Sequence, residues 1–262
     1  KIAPGSFNSL VFVEQLLAGT RIDPATGQPY VNIAAVACTN EPGTINYNKD
    51  APAAVIAPAH LGPTRPFPGV ELLQPGNVVE GFAMEALAYV ELQPGIYRWG
   101  VNSDDDFRVI LGTSAFDPNN YVMGEFAGAG RAAADTTFDF NVTRAGLYPI
   151  RLIFEEGSGG ASVEFWNVDF LVSTNAYVGI NDPAGLLAYH PPAPSLTITP
   201  GLLSMAICWP ALNAPYCLQC TPDLTPPITW TDVAAPVTRN AAGNCVSVAN
   251  AGPNRFYRLI LK

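Results

Sequence analysis

The chain has 262 residues and a formal net charge of −9, and only 13% of its residues are charged against 48% that are hydrophobic. The acidic balance excludes nucleic acid and anionic membranes as partners, since like charges repel. The apolar content excludes general disorder, and no apolar run approaches the roughly 20 residues of a membrane-spanning helix.

Proline and glycine are frequent, with 25 Pro and 23 Gly. Both residue types disrupt helices, so they favour short strands, turns and long irregular loops. No segment shows a sustained 3.6-residue apolar period. We therefore predict an all-β fold of two antiparallel β-sandwiches in series, with long Pro-rich loops and an extended N-terminal segment.

The N-terminal segment, residues 1–50, contains a short continuous apolar run at Ser9–Val13. This run is predicted to be a strand that must be covered on both faces. It is either the first strand of its own sandwich or a donor strand that completes the sheet of a neighbouring copy, which would join copies into an open filament. The residues assigned to this assembly strand are Leu10, Val11, Phe12 and Val13.

Residues 51–190 are predicted to form the first sandwich. Residues 50–76 are Pro-rich, and strand patterns separated by turns recur from about residue 77 to residue 172. Many short strands at this spacing are typical of a β-sandwich. The chain starts at Lys1 without a leader, which fits a mature secreted protein and an artificial chain equally.

An acidic string, Asp104–Asp106, lies between the strand patterns Ile96–Trp99 and Phe107–Leu111. Adjacent carboxylates repel each other, so solvent, backbone N–H groups, basic side chains or a hard cation must offset their charge. Oxygen-rich loops are what Ca²⁺ selects. Two hypotheses therefore have equal weight: a calcium site, or neutralisation by arginines of nearby strands, namely Arg98, Arg108 and Arg151.

Residues 191–262 are predicted to form a smaller second sandwich after a Pro-rich linker at Tyr189–Pro194. Strand patterns recur through this segment, separated by turn residues. The predicted strands are Leu196–Thr199, Leu202–Trp209, Tyr216–Thr221, Thr229–Val233, Cys245–Ala249 and Phe256–Leu261.

Four of the five cysteines lie in this last quarter of the chain. The CxxC motif has no second copy and no nearby His, so disulfides in an oxidising compartment are favoured over a zinc or redox site. A hairpin would set Cys208 opposite Cys217, and a bond between Cys220 and Cys245 follows by elimination. Cys38 would remain as a buried thiol.

Catalytic patterns are scarce, because the two histidines, His60 and His190, lie far apart and no common catalytic fingerprint occurs. Glu155 and Glu156 are adjacent on a predicted strand, so their side chains face opposite ways, which suits a glycosidase pair poorly. Beside a Gly-rich turn, they are predicted to be a solvated pair. We therefore predict that the protein is not an enzyme.

The segment Tyr97–Asp105, together with Gly146–Leu152 and Ala161–Trp166, resembles the anthrax protective-antigen-type (PA-fourteen) domain over roughly residues 77–172. That family is a β-sandwich found in bacterial toxins, glycosidases and adhesins and in yeast flocculins. The C-terminal segment is similar to immunoglobulin-like or fibronectin-like modules that end bacterial secreted proteins, on the strength of Ile207–Pro210 and Phe256–Leu259.

The resemblance implies a calcium site. In carbohydrate-binding members, an adjacent Asp pair joined by a cis peptide chelates Ca²⁺, and the ion contacts sugar hydroxyls. Here that pair would be Asp104 and Asp105, and Asp106 stands where the family usually has Gly. Further ligands suggested by residue type are Asp117, Asn119 and Asn120.

Three hypotheses on function follow. The favoured one is a secreted, cell-surface or extracellular structural and adhesive protein that polymerises with other copies of itself into a filament through its N-terminal strand. The alternative is a calcium-dependent carbohydrate-binding module, a lectin or adhesin with glycan ligands. The third is a non-catalytic accessory piece of a glycosidase.

Overall fold

The computed structural model describes residues 8–30, 43–49, 59–70, 80–112, 120–128, 130–170, 173, 175–190, 194–210, 216–240, 243–250 and 255–261. The chain divides into two compact units, Lys1–Pro191 and Pro192–Lys262. The predicted all-β class with antiparallel sheets is confirmed. Most of the predicted Pro-rich loop at 50–76, and Cys38, lie outside the described residues.

The first unit contains one short helix and ten strands among its described residues. These elements are α1 (Leu10–Leu17), β1 (Asn46–Asn48), β2 (Phe82–Leu92), β3 (Gly95–Asp104), β4 (Phe107–Leu111), β5 (Tyr121–Phe126), β6 (Ala134–Val142), β7 (Gly146–Glu156), β8 (Ser162–Val168), β9 (Tyr177–Gly179) and β10 (Ala188–Tyr189).

The strands of the first unit form two antiparallel sheets. One sheet has the order β10-β2-β7-β4-β5, and the other has the order β1-β8-β3-β6, with β9 also paired to β8. Alternate residues of both sheets meet in a shared core that includes Trp99 and Phe165 from one sheet and Phe107 and Phe154 from the other. Strand alternation thus buries one face of each sheet, which makes the unit a sandwich.

The prediction of an N-terminal strand is wrong, because Leu10–Leu17 form a helix. Ser9 caps it by accepting a hydrogen bond on its side chain from the backbone N–H of Phe12 at 3.4 Å. The helix turns Leu10 and Val13 towards Ala83 and Ile153 of the β2–β7 sheet, while Val11 is 68% exposed.

The helical spacing of the apolar residues becomes visible only when the run at Ser9–Val13 is extended to Leu16 and Leu17. These two residues share the buried face of the helix with Leu10 and Val13. Leu10, Val11, Phe12 and Val13 therefore do not form an extended donor strand, and the filament hypothesis loses its physical basis.

The second unit has seven described strands in two antiparallel sheets. Their order is β11-β12-β16-β15 in one sheet and β14-β13-β17 in the other. All six predicted strands overlap observed ones, and the extra strand is the short β15. The observed bounds are β11 (Thr197–Pro200), β12 (Ser204–Trp209), β13 (Tyr216–Thr221), β14 (Thr231–Asp232), β15 (Thr238–Asn240), β16 (Gly243–Ala249) and β17 (Phe256–Leu261).

Both predicted disulfide pairings are wrong, since the structure joins Cys208 to Cys245. The pairing required β12 and β13 to be neighbours in one hairpin, but the two strands belong to different sheets. Cys208 instead lies directly opposite Cys245 on β12 and β16. Cys217 and Cys220 are thiols on β13.

Candidate metal centre

Two chain segments cross between the sheets of the first unit at the same end of the sandwich. One runs from β3 to β4 through Asp105 and Asp106, and the other runs from β7 to β8 through the Gly-rich turn after Glu156. Because β3 pairs with β8 and β4 pairs with β7, the two crossings lie side by side. This topology brings together the acidic residues at the ends of β3 and β7.

The carboxylates of Asp104, Asp105 and Glu156 converge at this end, where one ligand oxygen from each lies within 4.8 Å of the others. Asp105 and Glu156 are buried, whereas Asp104 is half-buried. The peptide bond between Asp104 and Asp105 is cis, the arrangement that the resemblance implies. We call these three residues the carboxyl cluster.

Backbone groups fix Asp105 firmly within the carboxyl cluster. Its Oδ1 accepts a hydrogen bond from the backbone N–H of Arg131 at 2.9 Å, and its Oδ2 accepts one from the backbone N–H of Gly157 at 3.1 Å. Its carbonyl oxygen accepts a hydrogen bond from Ser103 Oγ at 2.7 Å. Asp105 is therefore held by the connection between β5 and β6, through Arg131, and by the crossing from β7 to β8, through Gly157.

Glu156 is the member of the carboxyl cluster with the least support. It is fully buried, yet neither of its carboxylate oxygens accepts a hydrogen bond from an N–H or hydroxyl donor in the described part of the chain. Lys49 Nζ lies 3.9 Å from Glu156 Oε1. A buried carboxylate without donors is costly, so this position calls for a proton or a further cation.

The pKa values of the carboxyl cluster reflect this cost. Burial, followed by repulsion from Asp105, raises the pKa of Glu156 to about 9. The same two causes raise the pKa of Asp104 to about 6, although Lys49 acts in the opposite direction on both groups. The nearby protein groups thus do not fully offset the negative charge of the ionised carboxyl cluster, which favours its protonated form when no cation is bound.

A second acidic pair, Asp106 and Glu155, adjoins the carboxyl cluster, and both residues are fully buried. Asp106 Oδ2 accepts a hydrogen bond from the backbone N–H of Gly128 at 2.9 Å. Burial, then repulsion from Asp106 and Asp105, raises the pKa of Glu155 to about 8. The prediction that Glu155 and Glu156 form a solvated pair is therefore wrong.

The three arginines that were expected to neutralise the acidic string have other partners. Arg98 pairs with Asp139, Arg108 pairs with Glu125, and Arg151 pairs with Glu14 and Glu85. Among the described residues, the basic side chains beside the acidic string are Lys49 and Arg131. The Arg131 guanidinium donates to Ser103 O, Ser103 Oγ and Thr136 Oγ1.

The remaining predicted ligands do not join the described site. Asp117 and Asn119 lie outside the described residues, and Asn120 is exposed immediately before β5. Glu156 was not predicted as a ligand, although the sequence carries a signal for it: Glu155-Glu156 ends a strand before a Gly-rich turn, much as Asp104 ends β3.

The donor set fits a hard divalent cation. As far as the structure describes the chain, it consists of carboxylate oxygens, without the His or Cys that zinc prefers. Calcium takes six to eight oxygen ligands, so three carboxylates would leave coordination positions for neutral oxygens. The half-buried Asp104 provides the solvent-facing side of such a site.

No protein-family model matches this sequence, and no curated protein matches it. Among solved structures, the chain is similar to the PA14 domain of the MpAFP antifreeze protein, with 19% identity, a TM-score of 0.34, and 42% of this chain and 53% of that chain covered. This chain therefore spans about half the length of that structure.

Two further similar structures are described as adhesin domains. The A domain of epithelial adhesin 9 from Candida glabrata, in complex with Galβ1-4GlcNAc, has 16% identity and a TM-score of 0.38, with 57% of this chain and 68% of that chain covered. The PA14 sugar-binding domain from an RTX adhesin has 20% identity and a TM-score of 0.33, with 56% and 84% covered. The likeness is distant, so the chemistry of the carboxyl cluster is what bears on function.

Among the described residues, no helix is long and apolar enough to cross a membrane.

Proposed function

We propose that the first unit is a calcium-dependent carbohydrate-binding module of an extracellular adhesive protein, and that it acts without catalysis. The observation that carries this proposal is the convergence of Asp104, Asp105 and Glu156 within 4.8 Å. Glu156 strengthens it, because this buried carboxylate lacks hydrogen-bond donors in the described part of the chain.

A calcium ion would offset the charge of the carboxyl cluster. Asp104, Asp105 and Glu156 would hold it, and its remaining coordination positions would accept neutral oxygens. Neighbouring hydroxyl groups of a sugar ring are such oxygens, and they can approach from the solvent side of Asp104. The resemblance of the Ser103–Asp105 segment to carbohydrate-binding domains points to the same ligand class.

The protein's own groups have a positioning role in this proposal. Two backbone N–H groups, from Arg131 and Gly157, hold the Asp105 carboxylate in one orientation. The Gly160 backbone lies against Asp104, since a Cβ at Gly160 would be only 2.7 Å from Asp104 Oδ2. The β5–β6 connection and the crossing from β7 to β8 would therefore define the geometry before any ion arrives, which favours tight binding.

Calcium titration tests the metal half of the proposal. Calcium at about 100 times its dissociation constant should raise the free energy of unfolding by about 2.7 kcal/mol. Asp104→Asn should weaken calcium binding at least about tenfold, because it removes a charged ligand. Asp139→Asn is the matched control. Asp139 is an exposed acid on β6 that pairs with Arg98 of β3. Absence of calorimetric heat and of stabilisation up to roughly 10 mM calcium would refute the metal site.

Glycan-array binding tests the carbohydrate half. We expect retention of at least one glycan in calcium, and loss of that retention both in EDTA and in Asp104→Asn. Calcium binding without any glycan retention would show that the ion has a structural role only. Glycan binding that survives both treatments would place the sugar site elsewhere.

A further inference from the structure

We propose that Lys49 is a built-in competitor of the metal ion, and that it lowers the calcium affinity of the carboxyl cluster. This proposal rests on the proposed calcium site and concerns how that site is tuned. Lys49 follows β1, and its side chain is only 8% exposed. Its Nζ lies 3.1 Å from Glu80 Oε1 and 3.9 Å from Glu156 Oε1.

Lys49 and its partner Glu80 are both anchored to the turn that follows Glu156. The backbone N–H of Lys49 donates to Ala161 O at 3.0 Å, at the end of the turn that follows Glu156. Glu80 accepts a hydrogen bond on its other oxygen from the backbone N–H of Gly159 at 2.8 Å, in the same turn. Lys49 and Glu80 are thus fixed to the segment that shapes the metal site.

A fixed ammonium group beside Glu156 has two consequences for a metal ion. It offsets part of the carboxylate charge that attracts the ion, and it repels the ion directly. Charges a few ångströms apart in a half-buried setting interact strongly, so both effects weaken calcium binding. The ion would have to compete with Lys49 for Glu156.

Glu80 sets the strength of this competition. It lies closer to Lys49 Nζ than Glu156 does, at 3.1 Å against 3.9 Å, so it draws the ammonium group partly away from the carboxyl cluster. Without the Glu80 charge, Lys49 would pair with Glu156 alone. Glu80 is therefore a positioning residue that acts on the metal through Lys49.

Calorimetric calcium titration of Lys49→Met tests the proposal. We expect binding roughly tenfold tighter than in the wild-type chain, because one nearby positive charge is removed. Lys49→Arg keeps the charge and should stay within about threefold of wild type. Arg98→Met removes one charge from an exposed pair and should leave the affinity unchanged. Unchanged or weaker binding by Lys49→Met would overturn the proposal.

Glu80→Gln provides a second test with the opposite sign. We expect weaker calcium binding in the wild-type background, and a clearly smaller loss once Lys49 is already Met, because only the direct effect of the Glu80 charge then remains. If Glu80→Gln weakens binding equally in both backgrounds, Glu80 acts on the metal independently of Lys49, and its role in setting the competition is refuted. These outcomes differ from failure of the proposed function, in which wild type and all variants show no calcium heat.

Should Lys49→Met melt near room temperature without metal, the calcium-induced shift in its melting temperature replaces calorimetry. That shift should exceed the wild-type shift at equal calcium, because tighter binding stabilises the folded state more. A shift equal to or smaller than the wild-type one overturns the proposal.

Discussion

Two buried ionic clusters in the first unit differ in how well their charges are matched. At Arg151, which is 1% exposed, every guanidinium edge has a partner: Nε donates to Glu85 at 2.6 Å, and Nη1 and Nη2 donate to the two oxygens of Glu14 at 2.7 and 2.8 Å. This cluster fastens α1 to the outer face of the sheet.

The acidic end of the sandwich lacks this balance. Six carboxyl groups gather around two basic side chains, Lys49 and Arg131, and both Glu155 and Glu156 lack donors to their oxygens in the described part of the chain. The carboxyl groups are those of Glu80, Asp104, Asp105, Asp106, Glu155 and Glu156.

The difference separates a structural network from a binding site. A buried network whose donors and acceptors match is complete without a ligand, and removing one member breaks it. An excess of buried carboxylates costs stability until a cation or protons arrive. The two clusters should therefore respond in opposite ways to mutation, pH and calcium.

The largest expected effect is that of Arg151→Met. It leaves Glu14 and Glu85 without their buried cation, so we expect a loss of about 3–5 kcal/mol in the free energy of unfolding. Urea denaturation at neutral pH measures it. Calcium affinity should change by less than about threefold, because Arg151 does not contact the carboxyl cluster.

Arg108→Met is the control for this comparison. Arg108 pairs with Glu125 at 2.8 Å, but both side chains are partly exposed, so its loss should cost no more than about 1 kcal/mol. If Arg151→Met costs as little as Arg108→Met, the buried network at α1 is not the structural element that we describe.

The pH dependence of the metal-free protein gives the next effect. The pKa of Glu156 rises from 4.5 to about 9 and that of Glu155 from 4.5 to about 8, mainly through burial. The folded state therefore holds protons that the unfolded chain releases above pH 4.5. The contribution of these bound protons to the free energy of unfolding is fully present below pH 4.5 and is lost as the pH rises through about 8 and 9.

Urea denaturation in EDTA at about pH 5, 7 and 9 checks this expectation. Stability should fall towards high pH, by at most about 1.4 kcal/mol per pH unit for each group. Glu156→Gln should flatten the upper part of the curve, and calcium should remove the loss in wild type. A metal-free protein as stable at pH 9 as at pH 5 would contradict the raised pKa values.

Sequence patterns predicted much of the fold, because strand alternation and turn residues are local signals. The acidic string at Asp104–Asp106 indeed lies at a turn between strands, and the C-terminal strand at Tyr216–Thr221 was predicted with its observed bounds. What remained hidden depends on contacts between distant segments. Glu156 meets Asp104 only because two crossings lie side by side.

Sheet order explains the other errors. Cys208 pairs with Cys245 because β12 and β16 are neighbours in one sheet. Cysteine spacing does not show whether a strand pairs with the next strand along the chain or with a later one. The eight-residue helix α1 was taken for a strand because its apolar run is short and the sheet that buries it lies far away in sequence.

The smallest expected effect concerns Ser9, which caps α1 through a 3.4 Å bond from the backbone N–H of Phe12. Ser9→Ala should cost about 1 kcal/mol, and Ser9→Asp should retain most of the stability, because both Ser and Asp accept this bond. Urea denaturation measures the loss. Glu14 lies on the same helix, so the loss should shrink once Arg151 is already Met, while calcium affinity stays unchanged in every variant. Additive losses at Ser9 and Arg151 would show that the cap and the buried ion pair stabilise α1 independently.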